Sequence, residues 1–171
     1  QVIINVYDLH PANEYGYSFG LGAYHSGVEI GGREYTFAGG GGIFDHSPRE
    51  APNARFREAV KMGTYQGGTS ELNRALDALR EEFALHRYNV LSRNCNSFSS
   101  ALCEQLLGRP GPGWINRLAW MGSWFSCLVP PQMLGEAPVN EGGAGGGGYQ
   151  MIAPPGRMMG GAGRGGGNGR D

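Results

Sequence analysis

The chain opens on β-branched and apolar residues, Val2-Ile3-Ile4-Asn5-Val6-Tyr7-Asp8, the pattern of a buried strand. His10-Pro11-Ala12-Asn13-Glu14 then reads as a turn or loop. Gly20 to Ile30 predicts two short strand pieces around Ser26-Gly27. In extended chain, Leu21, Ala23 and His25 share one face. Gly31-Gly32 turns the chain into a third strand, Arg33 to Ala38. Gly39 to Gly42 form a loop, and two prolines make His46 to Arg55 irregular. Phe56 to Met62 fits a fourth strand or a short helix, since periodicity does not separate the two at that length.

The pattern then changes to a helical period. Leu72, Leu76, Leu79 and Phe83 recur at i, i+4, i+7 and i+11, which predicts a helix from Ser70 to Arg87. Thr69 or Ser70 can cap it, and Glu71 suits its first turn. A second helix begins near Asn94 and continues to Leu107 on the stripe Phe98, Leu102, Leu106. Gly108 and Pro110 supply the stop. Trp114 to Leu128 is rich in aromatic residues and predicts a smaller third helix.

Composition changes this picture at one end only. Of 171 residues, 32 are glycine, and they dominate residues 141–171 without a three-residue period. Such a segment buries too little apolar surface to offset its chain entropy, so residues 131–171 are expected to be a disordered tail. Residues 1–130 form the folded domain. The net charge is −1, so no broad basic surface points to nucleic acid or an anionic membrane. Arg164-Gly165-Gly166 is a single RGG unit, too little for an RNA-binding reading. The apolar stretch from Leu118 to Val129 falls short of the about 20 residues that span a bilayer. The opening apolar run is too short for a secretory leader. Cys95, Cys103 and Cys127 are an odd set, unlike a disulfide framework. Reduced thiols in the cytoplasm, with the nucleus as a further site, are the expectation.

Chemistry concentrates at Cys95. In Ser92-Arg93-Asn94-Cys95-Asn96-Ser97 it occupies the first turn of a predicted helix. Free N–H groups and the helix dipole stabilise a thiolate there. Cys103 lies in the helix body, roughly 12 Å further along the axis, without that advantage. The polar residues around Cys95 are unusual for a buried structural thiol. A thiol nucleophile needs a proton acceptor. His10, His46 and His86 fall in loops or at a helix end and read as surface residues. His25 sits within an apolar strand that can hold its ring fixed. No C-x-x-C or H-E-x-x-H spacing supports a metal site. Gly39-Gly40-Gly41-Gly42 lacks the Lys of a phosphate loop. No cofactor is expected.

Five segments now occur in one order: NVYD, AYHSGVEI, REYTFAGG, RNCNSFS and WINRLA. Together they resemble the PPPDE family of permuted papain-fold peptidases, the desumoylating isopeptidases, from roughly Val2 to Cys127. HSGVE and WINRLA are closer to the second branch of that family. The resemblance implies a Cys–His dyad of Cys95 and His25 in a compact α+β, permuted papain-like fold, a small antiparallel sheet packed on helices. It implies cleavage of isopeptide bonds to ubiquitin or small ubiquitin-like modifiers, which makes such conjugates the expected partners. Some members are described as thioesterases on S-acylated proteins, and one branch forms homodimers. Asn94 and Asn96 are candidates to stabilise an oxyanion or support the site. Asn5 and Tyr24 are candidates to orient His25. The rival readings are a depalmitoylating thioesterase with the same dyad, and an inactive binding module displaying Trp114, Trp120, Trp124 and Phe125.

Overall fold

The computed structural model describes residues 1–11, 13–16, 22–117, 119 and 150–151. Strand β1 (Val2–Asp8) leads through a four-residue helix, α1 (Asn13–Gly16), to a meander of β2 (Tyr24–Ile30), β3 (Arg33–Ala38) and β4 (Gly42–His46). Strand β5 (Arg55–Gly63) precedes helices α2 (Thr69–Leu79) and α3 (Cys95–Leu107). The sheet order is β5-β1-β2-β3-β4-β6, where β6 is the pair Gln150–Met151 beside β4. Every pairing is antiparallel. Gly31 and Gly32, both at positive φ (61° and 79°), make the tight β2–β3 turn that a side chain would strain. The register places Tyr7 opposite His25 and Val6 opposite Ser26.

Alternation along the strands gives the sheet two unlike faces. Val2, Ile4, Val6, Val28, Ile30 and Phe37 are buried in the core with Leu72, Leu76 and Leu79 of α2 and Phe98 and Leu102 of α3. Phe37, Phe83 and Phe98 stack mutually, with centroids 5.2, 5.4 and 6.4 Å apart. Burying each such side chain contributes about 1.5–3 kcal/mol. Asn5, Tyr7, His25, Glu34 and Thr36 belong to the other face.

Several elements differ from the sequence reading. β2 is one continuous strand through Ser26-Gly27, not two pieces, because all seven of its residues pair with β1. Residues 55–63 are a strand, which resolves the strand-or-helix alternative. Asn13 and Glu14, within the stretch from His10 read as turn or loop, open a single helical turn, Asn13–Gly16. Helix α2 ends at Leu79, eight residues early. Arg80 N–H bonds back to Asp77 O at 3.2 Å, and Phe83 N–H to Leu79 O at 2.8 Å. The turn persists just long enough to deliver Phe83 to the core, and Leu85–Arg87 then forms a separate 3-10 turn. The cap of α2 is Gly68, not Thr69 or Ser70. Glu71 closes it by accepting the Gly68 N–H at 3.1 Å.

The expected helix from Trp114 to Leu128 lies mostly outside the described residues, as do Leu21, Trp120, Trp124, Phe125 and Cys127. Its beginning is a 3-10 turn, Gly113–Asn116. Trp114 packs edge-on against Tyr24, centroids 5.3 Å apart, on the rim of the core. Of the Gly-rich tail only Gln150–Met151 is described.

Candidate active site

Cys95 is the first residue of α3, and the local sequence makes it so. Asn94 caps the helix: its Oδ1 accepts the Ser97 N–H at 2.9 Å, while Ser97 Oγ accepts the Asn94 N–H at 3.1 Å. The Asn94 amide also donates to Val90 O at 2.7 Å and Asn116 Oδ1 at 2.9 Å. Gly108, at φ 68°, closes the other end.

Asn96 ties that helix start to β2. Its amide donates to Tyr24 O at 3.0 Å and Ile115 O at 2.9 Å. Its Oδ1 accepts from Ser26 Oγ at 2.8 Å, and Ser26 Oγ lies 2.9 Å from Ser99 Oγ. Tyr24 and Ser26 are the neighbours of His25 in β2, so α3 grips the strand on both sides of the histidine. The structure thus brings the helix start bearing Cys95 against the strand bearing His25. Asn94 and Asn96 serve here as supports, since both donors of each side-chain amide are committed to these bonds.

The thiol is 4% exposed. It donates to Asn96 Oδ1 at 3.7 Å. Burial pushes its pKa up to about 11, although the backbone N–H groups of Ser26, Asn96 and Cys95 pull it down. The stabilising influence expected of a helix start is present, and desolvation exceeds it. Cys103, with no such donors and fully buried, is pushed up to about 12 despite Arg109. His25 is half-buried, its ring 5.7 Å from the Tyr7 ring. Burial pulls its pKa down to about 4, and the nearby His46 adds to the shift. Near neutral pH Cys95 therefore rests as a thiol and His25 as a neutral imidazole.

Below His25 the sheet holds a buried carboxylate. Glu34 is fully buried. It accepts from Asn5 Nδ2 at 2.7 Å, from Tyr7 Oη at 2.8 Å and from the Arg49 N–H at 2.9 Å. Arg49 reaches that position at φ 65°, a costly conformation for a side chain with a Cβ. Gly27 leaves the room: a Cβ there would meet Glu34 Oε1 at 2.4 Å. Burial first, then the Glu34 charge and hydrogen bond, raises the Tyr7 phenol above its ordinary value.

Of the four histidines, His10 and His86 are exposed as read. His46 is not a surface residue: it lies at the end of β4, 6% exposed. Its Nδ1 is 2.7 Å from Ser47 O and its Nε2 3.9 Å from Glu34 Oε1. Pairing of His46 with Glu34 across the β3–β4 ladder draws it inward, a long-range contact that loop composition does not reveal. Neither proposed orienting group is what the His25 ring nitrogen meets. Asn5 gives its amide to Glu29 and Glu34, and Tyr24 faces Trp114. The neighbour is Thr36, whose Oγ1 lies 3.3 Å from His25 Nε2. The alternation of Glu34 and Thr36 in β3 was the available signal. Among the described residues no group of three or more His, Cys, Asp or Glu is arranged to hold a metal ion. No helix among them is long and apolar enough to cross a membrane.

An antiparallel sheet packed on helices, with a cysteine opening one helix and a histidine on the strand it grips, is the α+β papain-like arrangement. Residues 1–133 match the family described as "PPPDE putative peptidase domain". The chain belongs to that family. It is 40% identical over 133 residues to a "DeSI-like protein" of Arabidopsis thaliana, covering 75% of this chain and 59% of that protein. It is 40% identical over 126 residues to a "Desumoylating isopeptidase 1 homolog" of Caenorhabditis elegans, covering 69% and 38%. A "DeSI-like protein" of Schizosaccharomyces pombe is 35% identical over 138 residues, covering 75% and 69%. The chain therefore spans less than two thirds of the plant and nematode relatives, 59% and 38% of their lengths.

Proposed function

We propose that this chain is a cysteine-type isopeptidase that releases a ubiquitin-like modifier from a target lysine, with Cys95 as nucleophile and His25 as general base. The observation that carries the reading is Cys95 at the capped start of α3, bound through Asn96 to both neighbours of His25. Membership of a peptidase family supports hydrolysis, and the name of the nematode relative supports the modifier.

The protonation states favour general-base attack over a resting ion pair. With the thiol pushed up and the imidazole pulled down, His25 takes the Cys95 proton as Sγ attacks the isopeptide carbonyl. The C–S bond forms, and the carbonyl electrons move to oxygen. Backbone N–H groups at the start of α3 stabilise that oxyanion. The C–N bond then breaks, and the lysine amine leaves with the proton from the imidazolium. Water, deprotonated by His25, attacks the thioester and releases the modifier carboxylate and the free thiol. General-base assistance of this kind contributes about 10²–10⁴-fold.

The test compares two substrates: a fluorogenic modifier–lysine isopeptide and a fluorogenic S-acyl thioester. Turnover of the isopeptide, abolished by Cys95→Ala, is expected. Turnover of the S-acyl substrate alone would replace the reading with a thioesterase using the same dyad. Turnover of neither, with an alkylatable Cys95, would leave a binding module.

A further inference from the structure

Thr36 makes two contacts with one hydroxyl. Its Oγ1 lies 2.9 Å from Ser26 O and 3.3 Å from His25 Nε2. A hydroxyl has one proton and two acceptor positions. Ser26 O can only accept, and it is the nearer partner, so the Thr36 proton goes there. The Thr36 oxygen then faces His25 Nε2 with a lone pair, and the nitrogen that meets it must carry hydrogen. In a neutral imidazole only one nitrogen is protonated, so Nδ1 is left with the lone pair.

The strand geometry explains why a side chain does this. The β2–β3 register runs Ile30↔Arg33, Glu29↔Glu34 and Val28↔Tyr35. Beyond Val28 the Thr36 hydroxyl, not a backbone N–H, reaches the Ser26 carbonyl. Thr36 is fully buried, so its hydroxyl must find its partners within the protein. β-Branching restricts its χ1, which holds the oxygen in place.

We propose that Thr36 is a positioning residue that fixes His25 as the Nε2–H tautomer and leaves Nδ1 as the nitrogen that takes the Cys95 proton. The proposal rests on the reading of His25 as the base. It gives the site three working residues, Cys95, His25 and Thr36. The hydrogen bond at the far nitrogen selects the working tautomer, as such bonds do for catalytic and metal-bound histidines. On that face the Glu34 carboxylate is engaged, while Asn5 Oδ1 and His46 Nε2 are left without a hydrogen-bond partner. Glu34 is held by Asn5, Tyr7 and Arg49, and His46 Nδ1 sits against Ser47 O.

The test uses the whole chain with ¹⁵N-labelled histidine, in wild type, Thr36→Val and Thr36→Ser. The His25 ring nitrogens are read by long-range nitrogen–proton correlation near neutral pH. Wild type is expected to give a bare Nδ1 and a protonated Nε2 whose hydrogen exchanges slowly. In Thr36→Val that hydrogen exchanges fast and the tautomers mix; Thr36→Ser restores the wild-type pattern. Cys95 alkylation follows the same order, falling about tenfold in Thr36→Val, the worth of one hydrogen bond, and recovering in Thr36→Ser. A protonated Nδ1 in wild type overturns the proposal. So does a Thr36→Val protein whose ring signals and alkylation match wild type. Should Thr36→Val not fold, the wild-type and Thr36→Ser tautomers decide, because a protonated Nδ1 in either is contrary. None of these readouts needs isopeptide turnover. An enzyme inert on every substrate, yet with this ring state and its response, would sink the isopeptidase reading and leave the role of Thr36 standing.

Discussion

The two faces of the sheet are both buried, and they are buried by different physics. The face toward α2 and α3 is closed by hydrocarbon: Val2, Ile4, Val6, Val28 and Phe37 against Phe83, Phe98 and Leu102. The opposite face is closed by hydrogen bonds converging on Glu34, from Asn5, Tyr7 and the loop after β4. Apolar packing tolerates adjustment and supplies stability. A buried polar network costs stability wherever a group lacks a partner, as Asn5 Oδ1 and His46 Nε2 do here, and in return it fixes side chains in place. The two candidate residues come from different sides of the sheet. Cys95 comes from the apolar side, at the end of a helix. His25 comes from the polar side, with Tyr7 and Thr36 as its neighbours.

The comparison is broken most severely by emptying the apolar side. Phe98→Ala should cost about 3–5 kcal/mol of unfolding free energy, the range for truncating a buried aromatic. Urea denaturation followed by circular dichroism reads this as a lower midpoint at unchanged slope. A loss comparable to that of an exposed residue would mean the aromatic cluster is not the core's anchor.

The polar side predicts a pH dependence that the apolar side lacks. His25 has a pKa of about 4 in the fold against the ordinary 6.5. Above 6.5 the folded and unfolded chains both hold it neutral. Between 6.5 and 4 the unfolded chain binds the proton and the folded one does not. Stability therefore falls as pH drops through that window, by at most about 1.4 kcal/mol per unit for this group. His25→Gln should flatten the pH dependence of the midpoint between 6.5 and 4. An unchanged slope would mean that His25 is not held neutral.

A smaller effect is expected at Glu34. Glu34→Gln keeps the shape but sets an amide NH₂ among the donors of Tyr7, Asn5 and Arg49. The cost is about 1–3 kcal/mol, that of leaving a buried polar group unpaired, read by the same denaturation. The smallest is Asn94→Ala, about 1 kcal/mol for a lost helix cap. Because Asn94 also bonds Val90 O and Asn116 Oδ1, alkylation of Cys95 reads whether the helix start shifts with it.

The apolar face was legible because it repeats. β-Branched, apolar composition in residues 2–8, the Gly31-Gly32 turn before 33–38, and period 3.6 in 72–83 and 98–106 placed β1, β3, α3 and the start of α2 within a few residues. The end of α2 was misplaced because Phe83 keeps helical spacing while its backbone has begun to leave the helix. The polar face was not legible, because nothing in Glu34 or His46 announces a partner from another strand. His46 looked like surface for that reason, and Thr36 looked like any strand threonine. Cys95 was legible from its place in the first turn of a predicted helix and its polar flanks, and Asn96 only partly. Its place was evident, but its bonds to Tyr24 and Ser26 span some 70 residues of chain and depend on how α3 lies on β2.

The central claim is that Cys95 is the nucleophile and His25 its base. A ubiquitin-like modifier carrying a propargyl or vinyl-sulfone group at its C-terminus tests it most directly. Incubation with wild type should give one covalent adduct, mapped to Cys95 by peptide mass spectrometry. It should be absent in Cys95→Ala and at least about 10²-fold slower to form in His25→Ala, the low end for a lost general base. Labelling that persists in Cys95→Ala, or that forms at the wild-type rate in His25→Ala, would contradict the account.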